Sequence, residues 1–411
     1  MSDAIELYVL PSAMEPMFPK DDSGVLNELS TDLISKAGRL KGTANPTTRK
    51  AIAEFMRPMN SYYSNLIEGH DTHPLDIDRA LRNDFSNDKN KRDLQQEARA
   101  HITLHREVCE EAGLINPSSA TFLKSIHKRF YDHLSYDFLT VISKEGEKKH
   151  VEPGEFRKEE VEVGKHIAPA AKHLDAFVKR FESAYDPADA ANKSLIKRIV
   201  SIAAAHHRLA WIHPFLDGNG RVVRLHSDAS FVREGLDASG MWSISRGLAR
   251  NNTEYYERLA NADMKRHGDL DGRGNLSNKM LVEFCRFFLE VAIDQLDYMY
   301  AMLDMENMIR RITSFSDLMV ARHAMKPEIR YILIDVFAKG KITKADAMRI
   351  TNTSDKTLKI MTDQLAAMGL IKSAKEGIEM TYHVNYPLPY SPMFFPGLYP
   401  SGKEAEMMLR I

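Results

Sequence analysis

The twelve residues from His213 to Arg224, H-P-F-L-D-G-N-G-R-V-V-R, constrain this chain more than any other stretch. Helical spacing of apolar residues runs from Lys193 to Trp211 and again from Arg221 to Glu234, so the segment between them is a loop joining two helices. Pro214 gives that loop a rigid turn, and Phe215 gives it a buried anchor. Gly218, Asn219 and Gly220 tolerate backbone torsions closed to most residues, so successive N–H groups can point inward where the second helix begins. Such a row of donors at a helix N-terminus is an anion site, and phosphate is its natural guest.

The side chains around the cradle supply the chemistry needed to act on a nucleotide's phosphorus. A neutral imidazole at His213 can accept the proton of an incoming hydroxyl, which makes it the candidate general base. Asp217 offers a hard oxygen ligand, and Mg²⁺ takes one or two protein carboxylates together with phosphate oxygens. The competing reading of Asp217 is a helix N-cap. Arg221 and Arg224 lie three apart, hence on one helix face, where forked donors can grip the remaining phosphate oxygens. A lone histidine or two surface arginines would ordinarily be structural; their convergence on one glycine-rich loop is what points to a nucleotide. No G-x-x-x-x-G-K-S/T or G-x-G-x-x-G occurs, which leaves this loop as the nucleotide site.

The rest of the chain reads as mainly α. Pro11, Pro16, Pro19 and Asp21-Asp22 keep the N-terminal stretch irregular until a helical pattern at Leu26 to Leu40, and this stretch is expected to wrap the body. Thr47 to Met56 and Asn60 to Ile67 have helical spacing, with Pro58 expected to break or kink the chain between them. Helices are further predicted at Leu75 to Arg82, Asp93 to Ala112 and Ala120 to Leu134, the last capped by Ser118-Ser119. Between Phe138 and Ile167, Thr140-Val141-Ile142, a turn at Gly146 and the alternation Val161-Glu162-Val163-Gly164 predict short extended pieces and a hairpin. Helix returns at Ala170 to Tyr185. From Asn275 to about Met319, Leu281, Phe284, Cys285, Phe288, Val291, Ala292 and Leu296 predict one long buried-faced helix.

Beyond Pro327 the pattern changes to Glu328 to Phe337, Thr343 to Ile350 and Ser354 to Met368, followed by alternation from Lys372 to Val384 around Glu376-Gly377. This resembles a winged helix-turn-helix, with Asp355 to Leu365 as the helix that would enter a DNA major groove. Lys356 and Lys359 are offset by Asp355 and Asp363, which weighs toward protein contacts over DNA. The tail, Tyr386 to Pro400, is rich in proline and aromatics and is expected to pack on the body.

The loop signature resembles that of the Fic family, whose members typically transfer AMP from ATP to a Ser, Thr or Tyr hydroxyl of another protein. The resemblance runs from about Ala120 to Asp263. It implies that His213 is the base, that Asp217 binds Mg²⁺, that Gly218, Asn219 and Gly220 form the anion hole, and that Arg221 contacts phosphate. Upstream, Pro153-Gly154-Glu155-Phe156-Arg157 followed by Val161 to Ile167 resembles the approach to the family's flap, so Val161, Glu162, Val163 and Gly164 would pair with the target segment by strand addition. Downstream, Asn252 to Leu259 resembles the segment contacting adenine, with Asn252 and Tyr256 as the contacts.

Ser64-Asn65-Leu66-Ile67-Glu68-Gly69 fits the family's inhibitory pattern. Alone it could simply end a helix with Gly69 as cap. Joined to the signature, it implies that Ser64 and Glu68 lie beside Arg224 and that the Glu68 carboxylate occupies the guanidinium needed by the γ-phosphate. The division expected is an N-terminal helical region carrying the inhibitory helix over 1–115, a Fic-type core with following helices over 116–320, a winged-helix unit over 321–385 and a tail over 386–411. The function implied is an autoinhibited protein adenylyltransferase using ATP and Mg²⁺, acting on a hydroxyl-bearing target protein, with self-association holding or freeing the inhibitory helix. The alternatives are removal of AMP or another Fic-type transfer, and a DNA-binding regulator with a Fic-like sensor core. Gly220 argues against the phosphate-transferring relatives, whose loop is bulkier there.

The 411 residues exceed one typical core, and 43% hydrophobic with 27% charged residues is ordinary globular composition. A net charge of -1 gives no global pull toward nucleic acid or membrane. Two cysteines, Cys109 and Cys285, argue for a reducing compartment. With no signal-like start and no apolar run of about eighteen residues, the expectation is a cytoplasmic protein outside the membrane. His101 and His105, four apart, could be zinc ligands but lack a third partner in sequence; a helix surface is the expectation.

Overall fold

A computed structural model describes residues 8–142, 146–164, 166–187 and 194–411. Helix α1 (Val25–Gly42) follows the irregular strap, and α2 (Pro46–Ile67) starts where Asn45 accepts a 2.9 Å bond from Thr48 N–H with Pro46 in the first turn. Pro58, expected to break or kink the chain, does not break α2. Phe55, Met56, Pro58, Met59, Tyr62 and Tyr63 are all buried, and that packing outweighs the one hydrogen bond a proline removes. Helices α3 (Pro74–Leu81) and α4 (Lys89–Glu111) follow, then α5 (Ala120–Asp132), capped by Ser119. Two antiparallel hairpins come next: β1 (Thr140–Ile142) with β2 (Lys148–His150), and β3 (Glu162–Val163) with β4 (His166–Ile167).

Helix α6 (Leu174–Tyr185) leads to the pair that frames the loop, α7 (Leu195–Ile212) and α8 (Asn219–Arg233). The predicted Lys193 start of the first of these lies outside the described residues; Ser194 caps it. Two short helices then turn the chain, α9 (Ile244–Arg250), which periodicity did not reveal, and α10 (Asn252–Ala262). The long helix expected from Asn275 to Met319 is two: α11 (Asn278–Met302) and α12 (Met305–Ala321). Asp304 ends the continuity, because its carboxylate accepts a 2.9 Å bond from Asn307 N–H and starts a new helix. Helix α11 is the spine, packed against α1, α7, α9 and α10.

The C-terminal region has α13 (Ile329–Lys339), β5 (Lys341–Thr343), α14 (Lys344–Thr351), α15 (Asp355–Ala367), β6 (Ile371–Glu376) and β7 (Glu379–Val384), with antiparallel sheet order β5-β7-β6. The predicted wing is β6–β7, and β5 adds the third strand. On α15, Asp355 is paired with Lys344, and Ile360 is exposed. The tail folds back through α16 (Ser391–Phe394) and α17 (Ser401–Leu409). Phe395 stacks on Phe55 with ring centroids 4.9 Å apart, and Tyr63 donates to the Leu398 carbonyl at 2.5 Å. At the other end of the chain the strap packs Tyr8 on Trp211 and accepts two bonds from Arg208 at the Pro16 carbonyl. Buried apolar side chains form one continuous cluster from strap to tail. No helix among the described residues is long and apolar enough to cross a membrane.

Candidate active site

The loop between α7 and α8 is held by contacts that its own residues dictate. His213 ends α7 in the left-handed region (φ 48°), and Gly218 precedes α8 at φ 76°. The Asn219 side chain closes the loop on itself, accepting from Phe215 N–H at 2.9 Å and donating to the Phe215 carbonyl at 2.8 Å. Phe215 is fully buried and stacks on His127, centroids 4.0 Å apart. His127 in turn accepts from Gly154 N–H at 2.8 Å and lies 3.2 Å from the Asp217 carbonyl. Burial holds that ring down to about 4, so a neutral imidazole accepts at Nδ1 and donates at Nε2.

Arg157 braces the loop from outside. Its Nε donates to the His213 carbonyl at 2.8 Å, its backbone N–H to the Pro214 carbonyl at 2.9 Å, and Nη2 to the Pro169 carbonyl at 2.6 Å. Sequence reasoning named Arg157 only within the approach to the flap; its single charge among carbonyl acceptors is a tertiary fact. The flap residues lie where β3 turns: Glu162 and Val163 pair with Ile167 and His166, Val161 precedes them, and Gly164 has φ 63°.

His213 is pushed down to about 4, first by burial and then by the charges of His166 and Arg157. Its ring is therefore neutral and able to accept a proton at neutral pH. Asp217 takes a 2.6 Å bond from the Tyr131 hydroxyl. Burial alone would raise its carboxyl, but Arg221, Tyr131 and the Gly218 N–H outweigh that and hold it below its usual range. Among the described residues no group of three or more acidic, His or Cys side chains could hold a metal by itself. A lone, ionised Asp217 beside an anion cradle suits Mg²⁺, which completes its shell with phosphate oxygens and water.

The two arginines make their ion pairs with different carboxylates, Arg224 with Glu68 and Arg221 with Glu97. Arg224, 1% exposed, donates to the Ser64 hydroxyl (2.9 Å), the Ser64 carbonyl (3.0 Å) and Glu68 Oε1 (2.6 Å). Arg221 pairs with Glu97 on α4, and Glu97 Oε2 lies 2.7 Å from His70 Nδ1. Glu97 and His70 were not foreseen; a carboxylate in a helix pattern carries no mark of its distant partner. Glu68 ends α2 directly over the cradle, since a Cβ on Gly220 would collide with its Oε1. Burial would raise the Glu68 carboxyl, but Arg224 and Arg221 hold it below its usual range.

Of the expected adenine contacts, Asn252 opens α10 with a buried Oδ1 that has no protein partner, and Tyr256 donates to the Ile67 carbonyl at 3.0 Å. Tyr256 therefore borders the end of α2. The histidine pair corrects the expectation of a helix surface: His101 is 1% exposed, and His105 lies 3.3 Å from Asp228 and 3.6 Å from Cys109. Packing of α4 against α2 and α8 buries that face.

Residues 117–229 match the family model described as Fic/DOC family. Protein adenylyltransferase Fic of Drosophila yakuba is 35% identical over 115 residues, covering 27% of this chain and 22% of that protein. The protein of the same name from Culex quinquefasciatus is 36% identical over 128 residues, covering 30% of this chain and 22% of its own length. The chain thus matches about a fifth of the length of these relatives. A Fic family protein from Desulfovibrio desulfuricans G20 superposes with a TM-score of 0.52 at 15% identity, covering 90% of this chain and 98% of that one. Fic-1 from C. elegans gives 0.50 at 16% identity, covering 69% and 74%. These likenesses show the fold.

Proposed function

We propose that this chain, whose residues 117–229 match the Fic/DOC family model, is a protein adenylyltransferase that transfers AMP from ATP to a Ser, Thr or Tyr hydroxyl of a target protein and is held off by Glu68. The observation that carries this reading is the 2.6 Å ion pair between Glu68 and Arg224, lying over Gly220. In the reaction, the target hydroxyl attacks the α-phosphorus while the His213 ring takes its proton. A new P–O bond forms to the target, the bond to the β-phosphate breaks, and pyrophosphate leaves with the electron pair. Free N–H groups at the start of α8 receive the charge that develops on the phosphoryl oxygens. Asp217 would hold Mg²⁺, which when bound neutralises phosphate charge. Arg224 would meet the γ-phosphate once Glu68 withdraws. The β3 edge would align the target strand, and Asn252 and Tyr256 would border adenine.

The test is transfer from α-labelled ATP to lysate proteins by the parent chain and by Glu68→Gly, with mass spectrometry identifying the modified residue. Label must rise in the variant. Loss of AMP from a premodified substrate, faster in the parent than in Glu68→Gly, would instead assign the reverse reaction, with Glu68 orienting water.

A further inference from the structure

A hydrogen-bonded relay lies along the C-terminal half of α7, the helix that ends in His213. Arg208 Nη1 donates to His207 Nδ1 at 2.7 Å, so that nitrogen carries no proton. His207 Nε2–H is therefore the donor, shared between the Leu259 carbonyl and Asp263 Oδ1, each 3.1 Å away. The other carboxylate oxygen, Asp263 Oδ2, faces His166 Nδ1 at 3.2 Å. His166 Nε2 lies 2.8 Å from the Trp211 carbonyl. Carboxylate and carbonyl can only accept, so both nitrogens of the His166 ring face acceptors. The Trp211 carbonyl belongs to the last turn of α7.

The geometry thus joins three elements through one carboxylate. Asp263 caps the C-terminus of α10, which carries Asn252 and Tyr256; His207 belongs to α7, which ends in His213; and His166 is the first residue of β4 in the flap hairpin. We propose that His166 and Asp263 form a latch, which ties the flap hairpin to the base-bearing and nucleotide-facing helices and so positions His213. Both are positioning residues. The inference rests on the reading of His213 as base and of β3–β4 as target-docking flap. The charges facing His213 are His166 from β4 and Arg157 from the preceding segment, which disfavour its protonation, and Glu68 from the end of α2, which favours it.

The latch is tested in the whole chain by His166→Gln, which removes the imidazole but retains a donor, and by Asp263→Asn as the second variant. Hydrogen–deuterium exchange over 161–167 should become roughly tenfold faster in either, as expected for losing a charged hydrogen bond. The imidazole titration of His213, followed by NMR, should move up from about 4 in His166→Gln. Parent-like exchange in both variants, or an unmoved His213 midpoint in His166→Gln, overturns the latch. Neither readout needs catalysis. If Glu68→Gly fails to transfer AMP while both readouts shift as stated, the latch stands and only the proposed activity falls.

Discussion

Replacing Glu68 by Gly should make the protein faster and less stable at once, and the contact it removes sets both magnitudes. The Arg224 side chain is 2% exposed and that of Glu68 30%, so the pair is largely withdrawn from water. A hydrogen bond to a charged group contributes about 1.5–3 kcal/mol, and partial exposure favours the lower end. Arg224 keeps its bonds to the Ser64 hydroxyl and carbonyl, so the variant does not leave a bare buried charge. If the same contact is what ATP must displace, its loss raises transfer at subsaturating ATP by roughly 10- to 150-fold, at one decade per 1.36 kcal/mol. Without nucleotide, the variant should be less stable by about the same 1.5–3 kcal/mol. The assay pairs initial rates of label transfer with urea midpoints, with and without ATP. A variant that gains rate without losing stability, or loses stability without gaining rate, would refute the shared origin of the two effects.

Other expectations follow from the same geometry. His213→Ala, in the Glu68→Gly background, should abolish label transfer while ATP still protects against unfolding; retained transfer removes the imidazole from the mechanism. Glu97→Ala leaves the buried Arg221 without its carboxylate and should cost about 3–5 kcal/mol, part of which ATP restores by offering phosphate in its place. A nucleotide-independent loss in the denaturation midpoint would count against Arg221 as a phosphate ligand. Acidification should weaken the fold in two stages. Burial holds His127, His213 and His226 at about 4 against an ordinary 6.5, so the unfolded chain takes up protons first; their contribution is whole above pH 6.5 and is lost as pH falls toward 4. The lowered Glu68 and Glu97 add stability that is present above their ordinary 4.5 and is lost as pH falls through their folded values. A urea midpoint constant from pH 7 to 4.5 would contradict the first stage.

The sequence by itself determined the elements whose signals are local. A loop of proline, aromatic and glycines between two helical patterns can hardly be read another way, and its position between Ile212 and Asn219 needed no partner. The Ser64 to Glu68 spacing likewise places both groups on one side of a helix end, and the β6–β7 wing alternates around its own turn. Tertiary structure decided whatever depends on a residue far along the chain. Pro58 stays helical because the buried face of α2 outweighs a local preference. The partners of Arg221, Asp217, Arg157 and His166 come from α4, α5, carbonyls flanking the loop, and the end of α10. Periodicity encodes which face of a helix is buried but not what it is buried against, so these ion pairs and carbonyl contacts emerge only when separate helices meet.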